Sequence, residues 1–225
     1  MKKNEYVKHI DGLRAIAVLS VIFFHLNFSL FSGGFVGVDI FFVISGFLIT
    51  RLIKKEIEAT NSFNFLYFYS HRIKRLLPAI FFMFLLTIIS DFSLFFPKYF
   101  SSFGASLAAA GVSASNFYFW YKSGYFDALD TLKPLLHTWS LGVEEQFYIL
   151  WPLLMLLILD LKKMKPYFPF FILFLFVISL GLSLIFIQHI YANFYLVPFR
   201  IFEFAIGAFT VQLTAEKKYL RIKQL

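Results

Sequence analysis

The sequence predicts an all-α integral membrane protein that crosses the bilayer several times. Hydrophobic residues make up 60% of its 225 residues and aromatic residues 22%, whereas about half of an ordinary soluble domain is apolar. Charged residues make up only 15%, against about 25% in soluble domains. This leaves too little polar surface to cover a particle of this size in water. We therefore expect lipid to surround most of the chain, which has a mean hydropathy of +0.75.

Six windows are long and apolar enough to be membrane spans, because about 30 Å of hydrocarbon takes about 20 helical residues. A further window, 103–120, is rich in small residues but contains several serines and an asparagine. We assign it to a long external segment, 97–140, where it lies at the interface or enters re-entrantly. The sequence thus predicts about six transmembrane helices in one membrane domain, 1–225, with spans at 13–31, 35–53, 76–96, 141–159, 167–187 and 194–213.

The basic residues predict the orientation of these spans. Of the 21 Lys and Arg residues, 17 fall at the N-terminus, between the second and third spans, after the fourth span or at the C-terminus. With six spans all four groups lie on one side, which the positive-inside rule makes cytoplasmic. We therefore attribute the formal net charge of +8 to membrane orientation and predict a cytoplasmic N-terminus. We expect no nucleic-acid partner.

Ionisable groups inside spans cost at least about 2.5 kcal/mol each, so each one needs a partner or a function. Arg14 and His25 are eleven residues apart, which is about three turns and places both on one face of the first helix, about 16 Å apart. Asp39 and His25 are each seven residues from Ser32, so we expect a helical hairpin to bring them together. The carboxylate would then orient the imidazole as a general base or simply form an ion pair.

Two more polar groups lie in the later spans. Glu144 and Glu145 occupy the first turns of the fourth span, where the helix dipole favours carboxylates, and only one of them can face the protein interior. Arg200 and Glu203 lie three residues apart on one face of the sixth span. They form a self-neutralising pair or line a polar cavity.

The cytoplasmic cluster HRIKR at 71–75 has two readings. It binds anionic lipid headgroups, or it captures a ligand that carries phosphate. The absence of cysteine excludes disulfides and thiolate nucleophiles. No His and carboxylate cluster with ligand spacing occurs in the sequence, so we predict no metal site.

Several strings in the chain carry a family resemblance. They are IDGLRAIAVLSVIFFH, GGFVGVDIFFVISGFLIT, FYSHRIKRLLPA, SNFYFW with GYFD, LLHTWSLGVEEQFYILWPLL and FYLVPFRIFEFAIGA. Any one string is weak, because Arg-x10-His arises by chance in many chains. In this order, across residues 6–210, they resemble the membrane-bound acyltransferase-3 family, whose members O-acylate polysaccharides of the bacterial cell envelope.

The resemblance implies a transferase of the bacterial inner (plasma) membrane. Its co-substrate would be acyl-CoA, usually acetyl-CoA, approached from the cytoplasm, with no permanently bound cofactor. Its acceptor would be a hydroxyl of an extracytoplasmic glycan: lipopolysaccharide, capsule, exopolysaccharide or peptidoglycan. The residues it carries over are Arg14 and His25 as an essential pair, Arg72 and Arg75 as a cationic step, Asp39 after the glycines, and Glu144 within VEEQFY.

Joining both lines of reasoning gives an expected mechanism. Arg72 and Arg75 would hold CoA phosphates at the cytoplasmic face, with Arg14 at the mouth of the passage. His25 would deprotonate the acceptor hydroxyl or first take the acyl group itself. Glu144 would face the glycan on the opposite side of the membrane.

Length sets this chain apart from the family pattern, and other functions stay open. Family membrane domains have roughly ten spans, so the chain looks like a truncated N-terminal portion. A transporter would also keep His and carboxylates at membrane depth, but it would leave thioesters intact and would not need the R-x-x-R step. A non-catalytic membrane subunit or an inactive fragment would use the same spans as a scaffold.

Overall fold

The computed structural model describes residues 8–94, 100–123, 133–159 and 165–223. Within these ranges the regular structure is helical and contains no strand, which confirms the all-α prediction. The described α-helices are α1 (Lys8–His25), α2 (Gly37–Thr60), α3 (Phe65–Leu94), α4 (Phe100–Gly111), α5 (Ser115–Lys122), α6 (Thr138–Leu159), α7 (Phe168–Ile185), α8 (Ile190–Tyr195) and α9 (Ile201–Lys223).

Four helical stretches in the described part of the chain are long and apolar enough to cross a membrane: Gly34–Thr60, Phe65–Phe92, Thr138–Ile158 and Phe168–Ile185. They overlap the predicted spans 35–53, 76–96, 141–159 and 167–187. The third begins earlier than predicted because α3 continues without a break through the basic cluster, which sequence reasoning placed before the span. Positions 95 and 96 of that prediction lie outside the described residues.

The other two predicted spans are interrupted. Helix α1 ends at His25, and the chain then turns through Asn27, which has a left-handed φ of 56°. The window 194–213 contains the break between α8 and α9, where Pro198 lies in a short 3-10 turn and cannot donate a backbone hydrogen bond. Its apolar helical part is Ile201–Leu213. The count of six crossings therefore stays a prediction.

The doubtful window 103–120 forms two helices rather than one. Helix α4 has 12 residues and α5 has 8, and between them Ser113 adopts a left-handed φ of 57°. Neither helix has the roughly 20 residues that a span needs. The window therefore does not form a single transmembrane helix, as the sequence reading expected.

The structure divides into two compact units. The first unit takes its described residues from Met1–Lys55, Leu157–Ile185 and Arg200–Leu225. In it α2 and α9 run parallel, since Asp39 pairs with Arg200 near the start of both helices and Lys54 donates to Gln212 further along both.

Glycines set the separation of α2 and α9. A Cβ added at Gly46 would collide with the carbonyl of Phe204, and one added at Gly207 would collide with the carbonyl of Val43. Small residues at such crossings let two backbones approach closely in a membrane. The rings of Phe42 and Phe204 stack beside the crossing, with centroids 4.8 Å apart.

Close backbone approach at glycines also joins α1 to the start of α2. Added Cβ atoms at Gly34 and Gly37 would collide with the carbonyls of Ser20 and Ala17 respectively. Ala17 is fully buried, whereas most of the rest of α1 is exposed. Helix α1 is therefore held through one narrow face.

The second unit takes its described residues from Glu56–Leu156 and Phe186–Phe199. Helices α3 and α6 run antiparallel in it, since Tyr69 donates to the carbonyls of Tyr148 and Ile149, and Arg72, further along α3, meets Glu145, earlier in α6. Trp139 at the start of α6 packs against Phe194 and Tyr195 of α8. Helix α5 joins this core through Phe119, which is 3% exposed.

Candidate functional site

Arg14 and His25 lie on one continuous helix, α1, so the face that the sequence spacing predicts is formed. The guanidinium of Arg14 lies 3.9 Å from Asp11, one turn away on the same helix. His25 is the last residue of α1, and its side chain is exposed. The imidazole therefore stands at the mouth of the hairpin between α1 and α2.

The main chain of α1 fixes the tautomer of His25. Its Nδ1 lies 2.8 Å from the carbonyl oxygen of Val21. A carbonyl only accepts hydrogen bonds, so the hydrogen of this bond sits on Nδ1. The neutral ring then presents the lone pair of Nε2, the atom that can take a proton.

The structure gives Asp39 a different partner from the one expected. Asp39 forms an ion pair with Arg200, with Nη1 3.1 Å from Oδ1, and among the described residues it forms none with His25. The reason is the helical period. Gly37 faces α1, and Asp39 lies about 200° further around α2, because each residue advances by about 100°. The carboxylate therefore points towards α9, and the role predicted for it as a direct orienter of His25 has no contact to support it.

Arg200 also holds a second carboxylate. The same Nη1 lies 2.7 Å from Oε1 of Glu203, whose side chain is 4% exposed. Asp39 and Glu203 lie in the first turns of α2 and α9, where the positive ends of the helix dipoles add to the charge of Arg200. Within the described atoms, Oε2 of Glu203 has no hydrogen-bond partner. We call Asp39, Arg200 and Glu203 the Arg200 cluster.

Arg72 and Glu145 form a pair inside the second unit. The Nε of Arg72 lies 3.6 Å from Oε1 of Glu145, and both side chains are 20% exposed. The guanidinium carbon lies 3.0 Å from the ring centroid of Tyr148, in the cation–π arrangement that Arg favours. Arg72 and VEEQFY were expected on opposite membrane faces, but this contact places them at one depth. The apolar windows missed it because they do not report how far α3 is offset along α6.

Of the two neighbouring glutamates, Glu145 faces α3 and pairs with Arg72. Glu144 instead accepts a hydrogen bond from the hydroxyl of Tyr148, one turn later on α6. Tyr148 therefore binds Glu144 through its hydroxyl and Arg72 through its ring face. This residue links the two predicted site groups, and the i,i+4 spacing in VEEQFY was the signal for it.

The basic residues of the R-x-x-R step lie in two different environments. Arg72 is half-buried and engaged, as described above, whereas Lys74 and Arg75 are exposed. Exposed cations can meet a phosphate ligand without first breaking an internal pair. Of the predicted donor-binding residues, Arg75 is therefore better placed than Arg72.

A buried amide pair, which sequence reasoning missed, supports the start of α6. Asn116 is fully buried and donates to Gln146 and to the carbonyl of Tyr195. Gln146 donates in return to Asn116 at 2.8 Å and to the carbonyl of Ser113 at 3.0 Å. The pair fastens α5, α8 and the left-handed turn at Ser113 beside Glu144 and Glu145. Polar residues in otherwise apolar segments were the available signal.

Comparison with known proteins decides the family. Residues 7–223 match the acyltransferase-3 family, which is described as an acyltransferase domain. The chain belongs to this family. No solved structure matches the chain.

Several curated relatives of this acyltransferase-3 chain are named as acetyltransferases. The peptidoglycan O-acetyltransferase OatA of Listeria monocytogenes is 42% identical over 162 residues, which is 71% of this chain and 26% of the relative. The O-acetyltransferase OatA of Staphylococcus aureus is 42% identical over 169 residues, 74% of this chain and 27% of the relative. The putative peptidoglycan O-acetyltransferase YrhL of Bacillus subtilis is 42% identical over 163 residues, 72% and 25% respectively.

The matched region is thus about a quarter of each relative's length. The chain has no cysteine, so it supplies no thiol. The roles of Arg14, His25, Asp39, Glu144, Arg72 and Arg75 in acyl transfer stay predictions, now with the geometry described above.

Proposed function

We propose that this chain forms part of a membrane O-acetyltransferase that moves an acetyl group from acyl-CoA to a hydroxyl of peptidoglycan outside the cytoplasm. The observation that carries the proposal is the family match over residues 7–223. The names of the relatives from L. monocytogenes and B. subtilis support peptidoglycan as the acceptor. The geometry of α1 supports a base within reach of an incoming hydroxyl.

In this proposal His25 is the general base. Its Nε2 removes the proton of the acceptor hydroxyl while the hydroxyl oxygen forms a bond to the acetyl carbonyl carbon. The carbon–sulfur bond of the thioester breaks, and the CoA thiolate takes the proton back from Nε2. The hydrogen bond from Nδ1 to the carbonyl of Val21 keeps a proton on Nδ1 throughout. Nε2 therefore remains the nitrogen that accepts and returns the proton.

The donor would bind at the basic cluster of α3. Lys74 and Arg75 are exposed, and both would contact the phosphates of CoA at the cytoplasmic surface. Arg14 lies about 16 Å from His25 along α1. The pantetheine arm of CoA can cover much of this distance. The acetyl group would then cross the membrane without CoA crossing.

In the same proposal Arg72 supports the site from within the second unit. Its pairing with Glu145 and Tyr148 leaves it poorly placed for a mobile phosphate. We assign it to holding α3 against α6, which presents Glu144 and Tyr148 together.

The test follows the thioester and the glycan in one assay. Membranes that contain the protein, as encoded by its complete gene, receive acetyl-CoA labelled in the acetyl group together with peptidoglycan fragments. We expect labelled ester on the glycan and an equal amount of released CoA thiol. If neither product forms and the labelled substrate crosses the vesicle membrane intact, the proposal is contradicted and the protein is a transporter. Membranes without the protein are the control.

A further inference from the structure

The Arg200 cluster lies where two contacts of the first unit meet. Asp39 is in the first turn of α2, and this turn begins at Gly37, against which α1 packs through Ala17. On the other side of the turn, Asp39 binds Arg200 before the start of α9. The first turn of α2 is therefore held by α1 on one face and by α9 on the other.

The spacing along α2 shows that this arrangement is built into the helix. Asp39, Val43 and Gly46 share one face of α2, because intervals of four and seven residues return to the same side. Val43 and Gly46 both contact the backbone of α9. Asp39 extends that face by one turn towards the start of α2, so its ion pair with Arg200 continues the close crossing of α2 and α9.

Electrostatics makes the cluster a stiff point of attachment. The single guanidinium of Arg200 holds two carboxylates, at 3.1 Å and 2.7 Å. Glu203 is 3% exposed, so its pair with Arg200 is costly to break on one side only. This buried pair holds Arg200 in place beside Asp39, whose side chain is 33% exposed. The first turn of α2 is therefore less able to rotate than a turn that is held by apolar packing alone.

We propose that Arg200, supported by Glu203, is a positioning residue for His25, and that Asp39 acts through Arg200 rather than on the imidazole itself. Arg200 fixes the carboxylate of Asp39, the carboxylate fixes the first turn of α2, and that turn seats α1 through Gly34 and Gly37. His25 at the end of α1 then keeps its place relative to the incoming hydroxyl. The inference rests on the proposed function, in which His25 is the base.

The two ways in which Asp39 can act predict different results for Arg200. If Asp39 oriented the imidazole directly, removal of Arg200 would leave Asp39 available to His25, and the rate would hold. If Asp39 acts through Arg200, removal of either side chain loosens the same first turn of α2. Removal of both then lowers the rate little further than removal of one. A positioning loss lowers kcat and leaves the KM for the donor nearly constant, because the donor is bound elsewhere.

The test measures kcat and KM for acetyl-CoA in Asp39→Asn, Arg200→Gln and the double variant of the full protein. We expect each single variant to lower kcat about tenfold or more, with KM changed less than about twofold, and the double variant to match the worse single one. Arg200→Lys keeps a positive charge and should recover part of the lost rate. If Arg200→Gln does not fold, Arg200→Lys against Asp39→Asn provides the same comparison.

Gln212→Met is the matched control. It removes the 2.7 Å bond from Lys54, which joins the same two helices about 22 Å further along α2, and we expect kcat within about twofold of wild type. An unchanged kcat in Arg200→Gln, or an equal loss in Gln212→Met, would overturn the inference.

A thermal unfolding cycle over Asp39 and Arg200 distinguishes failure of the inference from failure of the proposed function. Coupling between the two residues with normal kcat in both variants would reject the positioning role alone. Full activity of His25→Gln would reject His25 as the base, and the positioning role with it, while the coupling persists. Absence of acetyl transfer in the wild-type protein would reject the proposed function itself. Coupling together with the kcat loss supports both.

Discussion

The guanidinium of Arg72 lies against Glu145, with Nε 3.6 Å from Oε1, although the two residues are 73 positions apart in the sequence. This contact ties the basic cluster of α3 to the VEEQFY segment of α6. It assigns Arg72 to the interior of the second unit and leaves Arg75 as the arginine of R-x-x-R that is open to a ligand.

The first prediction is that Arg72→Gln and Glu145→Gln destabilise the protein. Each variant leaves one half-buried charge without its partner, which we expect to cost about 1–3 kcal/mol of unfolding free energy. The double variant should be less unstable than the sum of the two single variants. Thermal unfolding of the purified protein in detergent measures this, and strictly additive losses would show that the pair does not interact.

The second prediction concerns donor binding. Arg75→Ala together with Lys74→Ala should weaken acetyl-CoA binding about tenfold or more at low salt, because two exposed cations are lost from the phosphate site. In the wild type, affinity should fall as salt rises. Titration calorimetry measures both effects. Wild-type affinity in this double variant would show that the cluster only binds lipid headgroups.

The third prediction tests the crossing of α2 and α9. Gly207→Ala should destabilise the first unit, because the new methyl group would meet the backbone of α2 at Val43. Gly181→Ala in α7 is the matched control, since an added Cβ there meets nothing within 4 Å. The control should gain about 0.5–1 kcal/mol from the better helix former. Equal stability of the two variants would contradict the close crossing.

The fourth prediction concerns orientation, which the positive-inside rule assigns. The chain has no native cysteine, so single introduced cysteines report one position each. On intact cells an impermeant thiol reagent should label Lys122→Cys and leave Lys163→Cys unlabelled until the membrane is opened. The reverse pattern would place the N-terminus outside and reject the assigned donor side.

The sequence was sufficient for features that depend on one helix alone. The all-α class and the shared helix of Arg14 and His25 follow from composition and from the 3.6-residue period. Pairings between helices were harder. Asp39 was expected to meet His25 by symmetry about Ser32, but the glycines that seat α1 turn Asp39 towards α9.

The prediction that Arg72 and VEEQFY lie on opposite membrane faces was wrong for a related reason. Apolar windows locate spans to within a few residues, but they do not give the axial offset between two helices. Helix α3 begins at Phe65, and its first turns lie beside α6. The amide pair of Asn116 and Gln146 depends in the same way on the left-handed turn at Ser113, which no apolar pattern marks.

The central claim, that Nε2 of His25 removes the hydroxyl proton, is tested most directly by the acetyl-transfer rate of His25→Gln. We predict a fall in kcat of at least about a hundredfold, the usual value of general-base catalysis, with normal membrane insertion. His9→Gln, which changes the exposed histidine near the other end of α1, should keep the wild-type rate. Retention of more than about a tenth of the wild-type rate by His25→Gln would contradict the account.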